Sequence, residues 1–290
     1  MRRFTVWDLM IYAVLTFLFL VCVFPFYYVF IVSFANQYDI MRSNVYIFPM
    51  GFNIDAYLLI FSDGRLLRSA FISIFVTVVG TIFSMTLIIM AGYGLSKKEM
   101  PLRRFFMIMV LITLFFGGQL IPYFILIRDL GLINNIFVLI IPMSVNSFFL
   151  IIMKNYFLGI PISLEESARI DGANDVRILW QILVPVSKPI LATLSLFTAV
   201  NYWNEWWHAM LFLNDTSLWP MQMMLREILA DIASATVSPI GRTMAAQFAT
   251  VNTLTARMAA IMVTTIPILL VYPFIQKHFA KGLMIGSLKE

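Results

Sequence analysis

The sequence predicts an all-α, polytopic membrane protein of six transmembrane helices. Three observations carry this reading. The 290 residues are 61% hydrophobic and 12% charged, where soluble domains average about 45–50% apolar and about 25% charged. The apolar residues fall in long runs, and about 20 consecutive apolar residues suffice to span a bilayer. Polar residues, glycines and prolines gather between the runs. Helices suit such a chain because backbone polar groups in lipid need partners within the segment.

Residues 1–8, with Arg2 and Arg3, form a short basic lead. The first span is residues 9–34. It is longer than a signal-peptide core and has no small-x-small cleavage site, so it reads as an uncleaved helix. Pro25 is expected to kink it. Residues 35–68 are mixed and read as an external loop with one short interfacial helix. The second span is residues 69–95, where Gly80, Gly92 and Gly94 permit close helix contact. A basic loop follows. The third span, residues 105–127, carries Gly117, Gly118 and Pro122 as breaks. The fourth span is residues 135–153. Residues 158–187 form a polar loop, and the fifth span is residues 189–213. Residues 214–255 are too polar to span, although 221–229 has the apolar spacing of an amphipathic helix. The sixth span is residues 257–275. The transmembrane domain thus covers residues 9–276, and residues 277–290 form a basic tail.

Charge sets the orientation. Six spans place both termini on one side, and that side carries most of the 20 lysines and arginines. Only Arg42, Arg65, Arg68, Arg128, Arg226, Arg242 and Arg257 fall on the other. The basic-rich side is expected to be cytoplasmic. Both termini and the loop 158–187 then face the cytoplasm. The net charge of +5 is accounted for by these loops and does not call for a nucleic-acid partner.

The loop is the most informative stretch. Ser163 and Glu166 have the spacing of a capping box, and Pro161 upstream favours a helix start. Gly172 suits the left-handed turn that ends a helix. Asn174 can cap a second helix that Pro185 limits. The segment therefore reads as helix, glycine turn, helix.

Its residues Glu166-Ser167-Ala168, Gly172, Ile182 and Pro185 resemble the EAA loop of ABC importer membrane subunits. Ser167 and Val184 replace the usual Ala and Leu without altering the spacing. The surrounding text, Asp171-Gly172-Ala173 and Val184-Pro185-Val186-Ser187-Lys188-Pro189, is most similar to the carbohydrate-uptake branch, the maltose-type and polysaccharide-type permeases. The resemblance runs over nearly the whole chain. It implies the type I ABC importer permease fold and a bacterial plasma membrane location. It implies a second, homologous permease subunit, two ATPase subunits that bind ATP and Mg, and an extracellular sugar-binding protein. The transported solute would be a carbohydrate, an oligosaccharide or glycan fragment. Glu165, Glu166, Ser167, Ala168, Asp171 and Gly172 would carry ATPase coupling, with apolar contact from Leu164, Ala168 and Val176. The plainer reading is a well-capped surface helix pair. The tail, with Lys281, Gly282 and Gly286, resembles the carbohydrate-permease ending that reaches into the ATPase interface; a basic membrane anchor is the alternative.

The fifth span contains Asn201-Tyr-Trp-Asn-Glu-Trp-Trp-His208. On one helix, Asn201 and Glu205 share a face. Glu205 would lie about 24 Å from Pro189 at 1.5 Å per residue. An ionisable residue at such depth faces the bundle interior or a water-filled path. Asn201, Trp203, Asn204, Glu205 and Trp207 fit a sugar-contacting or gating cluster; an interfacial aromatic belt is the other reading.

No enzyme constellation is visible. There is no phosphate-binding G-x-x-x-x-G-K-[ST] run. Cys22 is the single cysteine and excludes an internal disulfide framework. His208 and His278 are too far apart for a shared metal site, and His208 reads as an interfacial residue. The chain is expected to bind no cofactor of its own. The rivals are a non-sugar ABC importer permease and an ion-coupled carrier, which would hold ionisable residues near mid-membrane.

Overall fold

A computed structural model describes residues 6–36, 52–62, 64–116, 118–233, 254–267 and 269–270. The secondary structure among these residues is helical, without strands. Helix α1 is Val6–Ser33 and runs on through Pro25. Helix α2 is Asp55–Ser62 and α3 is Gly64–Ser96. Then come α4 (Arg103–Phe115) and α5 (Leu120–Asp129). A 3-10 turn at Ile136–Leu139 precedes α6 (Ser147–Leu158). The loop holds α7 (Ser163–Ile170) and α8 (Asp175–Val186). Helix α9 is Lys188–Trp203, α10 is Trp207–Phe212, α11 is Met221–Ala233 and α12 is Leu254–Pro267. Lys281, Gly282, Gly286, Gly117 and His278 lie outside the described residues.

Among the described residues, only α1 and α3 are single helices long and apolar enough to cross a membrane. The third, fourth and fifth expected spans are divided, whereas of the sixth the main described part is the apolar helix Leu254–Pro267, and residues 271–275 lie outside the described residues. Residues 105–127 break between α4 and α5, where Gly117 and Gly118 were expected to interrupt the helix. Residues 135–153 are not one helix: a 3-10 turn and an irregular stretch precede α6. Asn135 and Asn146 explain this, because each side chain accepts backbone N–H groups and starts a new element. Helices α6 and α7 meet at 71°, and α8 and α9 at 86°. The expected fifth span, residues 189–213, stops at Trp203 and resumes as α10.

Two compact units divide the described residues, one within Met1–Leu67 and Met224–Pro267, the other within Arg68–Met223 and Ile268–Glu290. In the first, Ile31 and Val32 of α1 are buried with Leu254 and Met258 packed against them. From Trp7 to Phe26, most large apolar side chains of α1 are exposed, a surface suited to lipid. In the second, one core joins α3, α6, α7, α8 and α9 through Ile88, Met153, Ala168, Ile178, Leu183 and Leu194. Another joins α3, α9 and α10 through Val76, Tyr202, Ala209 and Phe212. Small residues let these helices approach. A Cβ on Gly80 would lie 2.7 Å from the Tyr202 ring, and one on Gly92 would lie 3.2 Å from Met153. Gly94 has more room, with only Met100 Sδ near, at 3.9 Å.

Candidate functional site

The loop is a helix, a glycine turn and a helix. Gly172 has φ +80° and follows α7. The Ala173 N–H donates to Ala168 O at 2.9 Å and the Gly172 N–H to Arg169 O at 3.0 Å, which satisfies carbonyls at the helix end. The Asn174 side chain accepts from the Arg177 N–H at 2.8 Å and caps α8. A π turn at Leu179–Leu183 lies within α8, which ends at Val186 just past Pro185.

The expected capping box does not form. Ile162 holds the cap position in helical geometry, without a side-chain cap bond. The Leu164 N–H already donates to Pro161 O, and the Glu166 N–H to Ile162 O. The helical turn therefore begins upstream of Ser163, which sits within the first turn. Glu165 and Glu166 still lie in that turn, where the helix dipole favours negative charge.

The six expected coupling residues separate onto two faces. Ala168 is buried in the core with Ile178 and Leu179, so it cannot supply contact to a partner. Glu165 turns toward its own chain and pairs with Lys97, just beyond α3. Glu166, Ser167, Asp171 and Gly172 are exposed. Around them Ile162 (68%), Ile170 (87%) and Val176 (66%) expose large apolar surface. Ile162 and Ile170 were not foreseen as contact residues. Their signal is helical spacing: Ile162, Glu166 and Ile170 stand four apart on one face.

The second cluster surrounds the break after α9. Tyr202 is buried, donates its hydroxyl to Ile140 O at 3.0 Å and lies 2.8 Å from Ser84 Oγ. Trp203 is buried, and its Nε1 has no partner among the described residues. Asn204 is exposed and accepts from Gln222 Nε2 at 3.4 Å. Glu205 is not on the α9 helix face with Asn201, as a continuous helix would have it. It follows the helix end and is 7% exposed, while Asn201 is exposed. The reason is local competition for the backbone. Glu205 Oε1 accepts the His208 N–H at 2.6 Å and so caps α10.

His208 is no simple interfacial residue. Its Nδ1 lies 3.0 Å from Glu205 Oε1 and its Nε2 lies 2.8 Å from the Tyr123 hydroxyl. A neutral ring protonated at Nδ1 satisfies both contacts, donating to the carboxylate and accepting from the phenol. Trp207 stacks on Tyr123 with centroids 6.3 Å apart. The buried carboxylate is thus compensated by donors, as burial of a charge requires. Glu205 three residues before His208 was the available sequence signal; Tyr123 had none.

Beside Tyr202 lies a cavity of about 200 Å³ lined by Ser84, Ile88, Met143, Ser144, Val145, Asn146, Phe149, Thr198, Asn201 and Tyr202. Of the expected cluster, only Asn201 reaches it. Ser84, Ser144, Asn146 and Thr198 are the polar lining residues that the sequence did not single out. No Asp, Glu, Lys, Arg or His among the described residues lines it. Among the described residues, no group of His, Cys, Asp or Glu could hold a metal ion.

Broken spans flank the helix-glycine-helix loop, and family and structural likeness together identify this arrangement as the type I importer permease fold. Residues 86–285 match the family described as the binding-protein-dependent transport system inner membrane component, and the chain belongs to that family. It is 44% identical to the polygalacturonan/rhamnogalacturonan transport system permease protein YtcP of Bacillus subtilis strain 168, over 97% of this chain and 98% of that protein. It is 27% identical to the arabinooligosaccharides transport system permease protein AraQ of Halalkalibacterium halodurans, covering 93% and 92%. A solved bacterial ABC transporter involved in the import of the acidic polysaccharide alginate matches with a TM-score of 0.86 and 33% identity, covering 96% of this chain and 100% of that one. The chain is a transport subunit and not itself an enzyme.

Proposed function

We propose that this chain is one half of a permease pair that moves an oligosaccharide or glycan fragment, delivered by an extracellular binding protein and driven by two partner ATPase subunits. The observation that carries the reading is the outer face of α7. Glu166 stands there among exposed Ile162 and Ile170, while the inner face, through Ala168, is locked into the core. A rigid element with an acid and apolar side chains on its free face can dock in a groove of a separate motor. The charge bias along the chain supports a cytoplasmic position for it, with both termini on the same side. ATP and Mg would be held by the motor subunits.

The solute class rests on the relatives' polysaccharide and oligosaccharide names and on the cavity's chemistry. Serine, threonine and asparagine beside Phe149 and Tyr202 suit hydroxyl groups and the apolar faces of a sugar ring. Of the fifth-span cluster, Asn201 lines the cavity and would be the residue that contacts the solute. Trp203, Asn204, Glu205 and Trp207 would hold the break that shapes the cavity's wall.

The test uses the co-expressed complex reconstituted in vesicles with its binding protein. A screen of that protein against neutral and uronate oligosaccharides identifies the glycan. Glu166→Lys should then abolish glycan-stimulated ATP hydrolysis and uptake. Wild-type rates in that variant would overturn the coupling assignment.

A further inference from the structure

The end of α3 carries a set of contacts that the docking role does not use. Lys97, one residue past α3, pairs with Glu165 of α7, and the two side chains are only 22% and 13% exposed. The same Lys97 Nζ lies 4.3 Å from the centroid of the Tyr93 ring. The Tyr93 hydroxyl donates to Asp175 Oδ1 of α8 at 3.3 Å, and Arg169 of α7 reaches the same Oδ1 at 2.8 Å. The Tyr93 ring meets Phe157 of α6 edge-on at 6.1 Å. One tyrosine and one lysine at the end of α3 therefore hold both arms of the loop and touch the helix that leads into it.

We infer that Lys97 and Glu165, with Tyr93 and Asp175, form a latch that makes the loop and α3 move as one body, so that Lys97 and Glu165 are positioning residues for coupling. Glu165 then serves its own chain and not the motor subunit. The physical case is burial. A charge pair largely removed from water resists separation, because parting it leaves an uncompensated charge. An exposed pair such as Arg128 with Asp129 exerts little such hold. The latch also bypasses the two bends that frame the loop, 71° at its start and 86° at its end. Force entering at α7 also reaches α3 through the apolar core around Ala168 and Ile88. That contact is non-directional, whereas the ion pair fixes one point of α7 to one point at the end of α3. Through Glu165 and Lys97 the force passes directly to α3, the 33-residue helix that lines the cavity with Ser84 and Ile88.

The inference rests on the coupling reading above, and the experiment separates the two. The assembled complex is reconstituted with its binding protein, and stimulation of ATP hydrolysis by that protein is measured. Lys97→Glu and Glu165→Lys should each lower the stimulation by about tenfold, a typical coupling factor. The double variant Lys97→Glu/Glu165→Lys should restore most of it, since the pair is reformed with its charges exchanged. Tyr93→Phe, which keeps the ring and loses the bond to Asp175, should give a smaller loss. If a single variant fails to assemble, recovery of assembly and stimulation in the double variant supports the latch equally. Full stimulation in the single variants, or loss without recovery in the double, overturns it. Should Glu166→Lys abolish stimulation while Lys97→Glu does not, the latch alone fails. Should both leave stimulation intact, the coupling reading fails first.

Discussion

The Tyr202 ring occupies the place where a side chain at residue 80 would begin: a Cβ built on Gly80 would lie 2.7 Å from it. That approach seats the Tyr202 hydroxyl between Ser84 Oγ and Ile140 O. Gly80→Ala should therefore displace the ring and both of its hydrogen bonds. We expect a loss of about 1–3 kcal/mol, the usual range for overpacking, read as a lower thermal midpoint of the purified subunit complex. Tyr202→Phe keeps the packing and should lose about 1 kcal/mol. An alanine at position 80 with an unchanged midpoint would contradict the close approach.

Glu205 and His208 hold the break after α9. Glu205→Ala removes the α10 cap and the His208 partner together, and the expected loss is about 1–3 kcal/mol. Glu205→Gln keeps an acceptor for the His208 N–H and should be milder. His208→Phe should be at least as damaging as Glu205→Gln, because it leaves a buried carboxylate with fewer donors. Thermal midpoints of the three variants give the order directly. Equal midpoints for Glu205→Ala and Glu205→Gln would show that the cap is not what stabilises α10.

Gly172 tests the turn between α7 and α8. A Cβ there would meet nothing within 4 Å, so the obstacle is its φ of +80° and not space. The left-handed conformation costs a non-glycine residue about 1–2 kcal/mol, with asparagine at the low end. Gly172→Asn should keep most binding-protein-stimulated ATP hydrolysis, and Gly172→Val should lose it. A series that instead followed side-chain volume would point to an external contact at this residue.

Asp215 predicts a local pH dependence. Its carboxylate accepts the Ser217 N–H at 2.8 Å, and hydrogen bonding from Ser217 holds its pKa below the usual carboxylate value. A lowered folded-state pKa contributes stability that is present above the unfolded value of about 3.9 and is lost as pH falls through the folded value. The Thr216–Leu218 turn should therefore loosen only below about pH 4. Amide exchange at Ser217, compared between the wild type and Asp215→Asn, checks this. Protection in the wild type should fall with acid, and in the variant it should not.

Much of the loop was legible because its signals are local. A glycine able to take positive φ and an asparagine able to cap act within a few residues, and Gly172 and Asn174 do so here. The capping box was misread for an equally local reason: Pro161 and Ile162 begin the turn before Ser163. Ala168 was misplaced because composition does not reveal which face of a short amphipathic helix its own chain covers. The broken spans were harder to read. Asn135, Asn146 and Glu205 each divert backbone donors from a helix, and an apolar run shows length but not such diversion.

From its sequence alone, this protein's membrane character, helical class and the position of its polar helix-turn-helix loop were determined. Those follow from apolar run length, internal backbone satisfaction and turn chemistry, all short-range. Tertiary structure alone decided that Lys97 meets Glu165 across 68 residues and that Tyr123 meets His208 across 85. It also decided that Glu205 lies beyond the end of the helix that carries Asn201 and that Asn201 opens onto the cavity. Which helices lie side by side is set by how small residues such as Gly80 and Gly92 let them pack, and partners distant in sequence acquire their roles only from that packing.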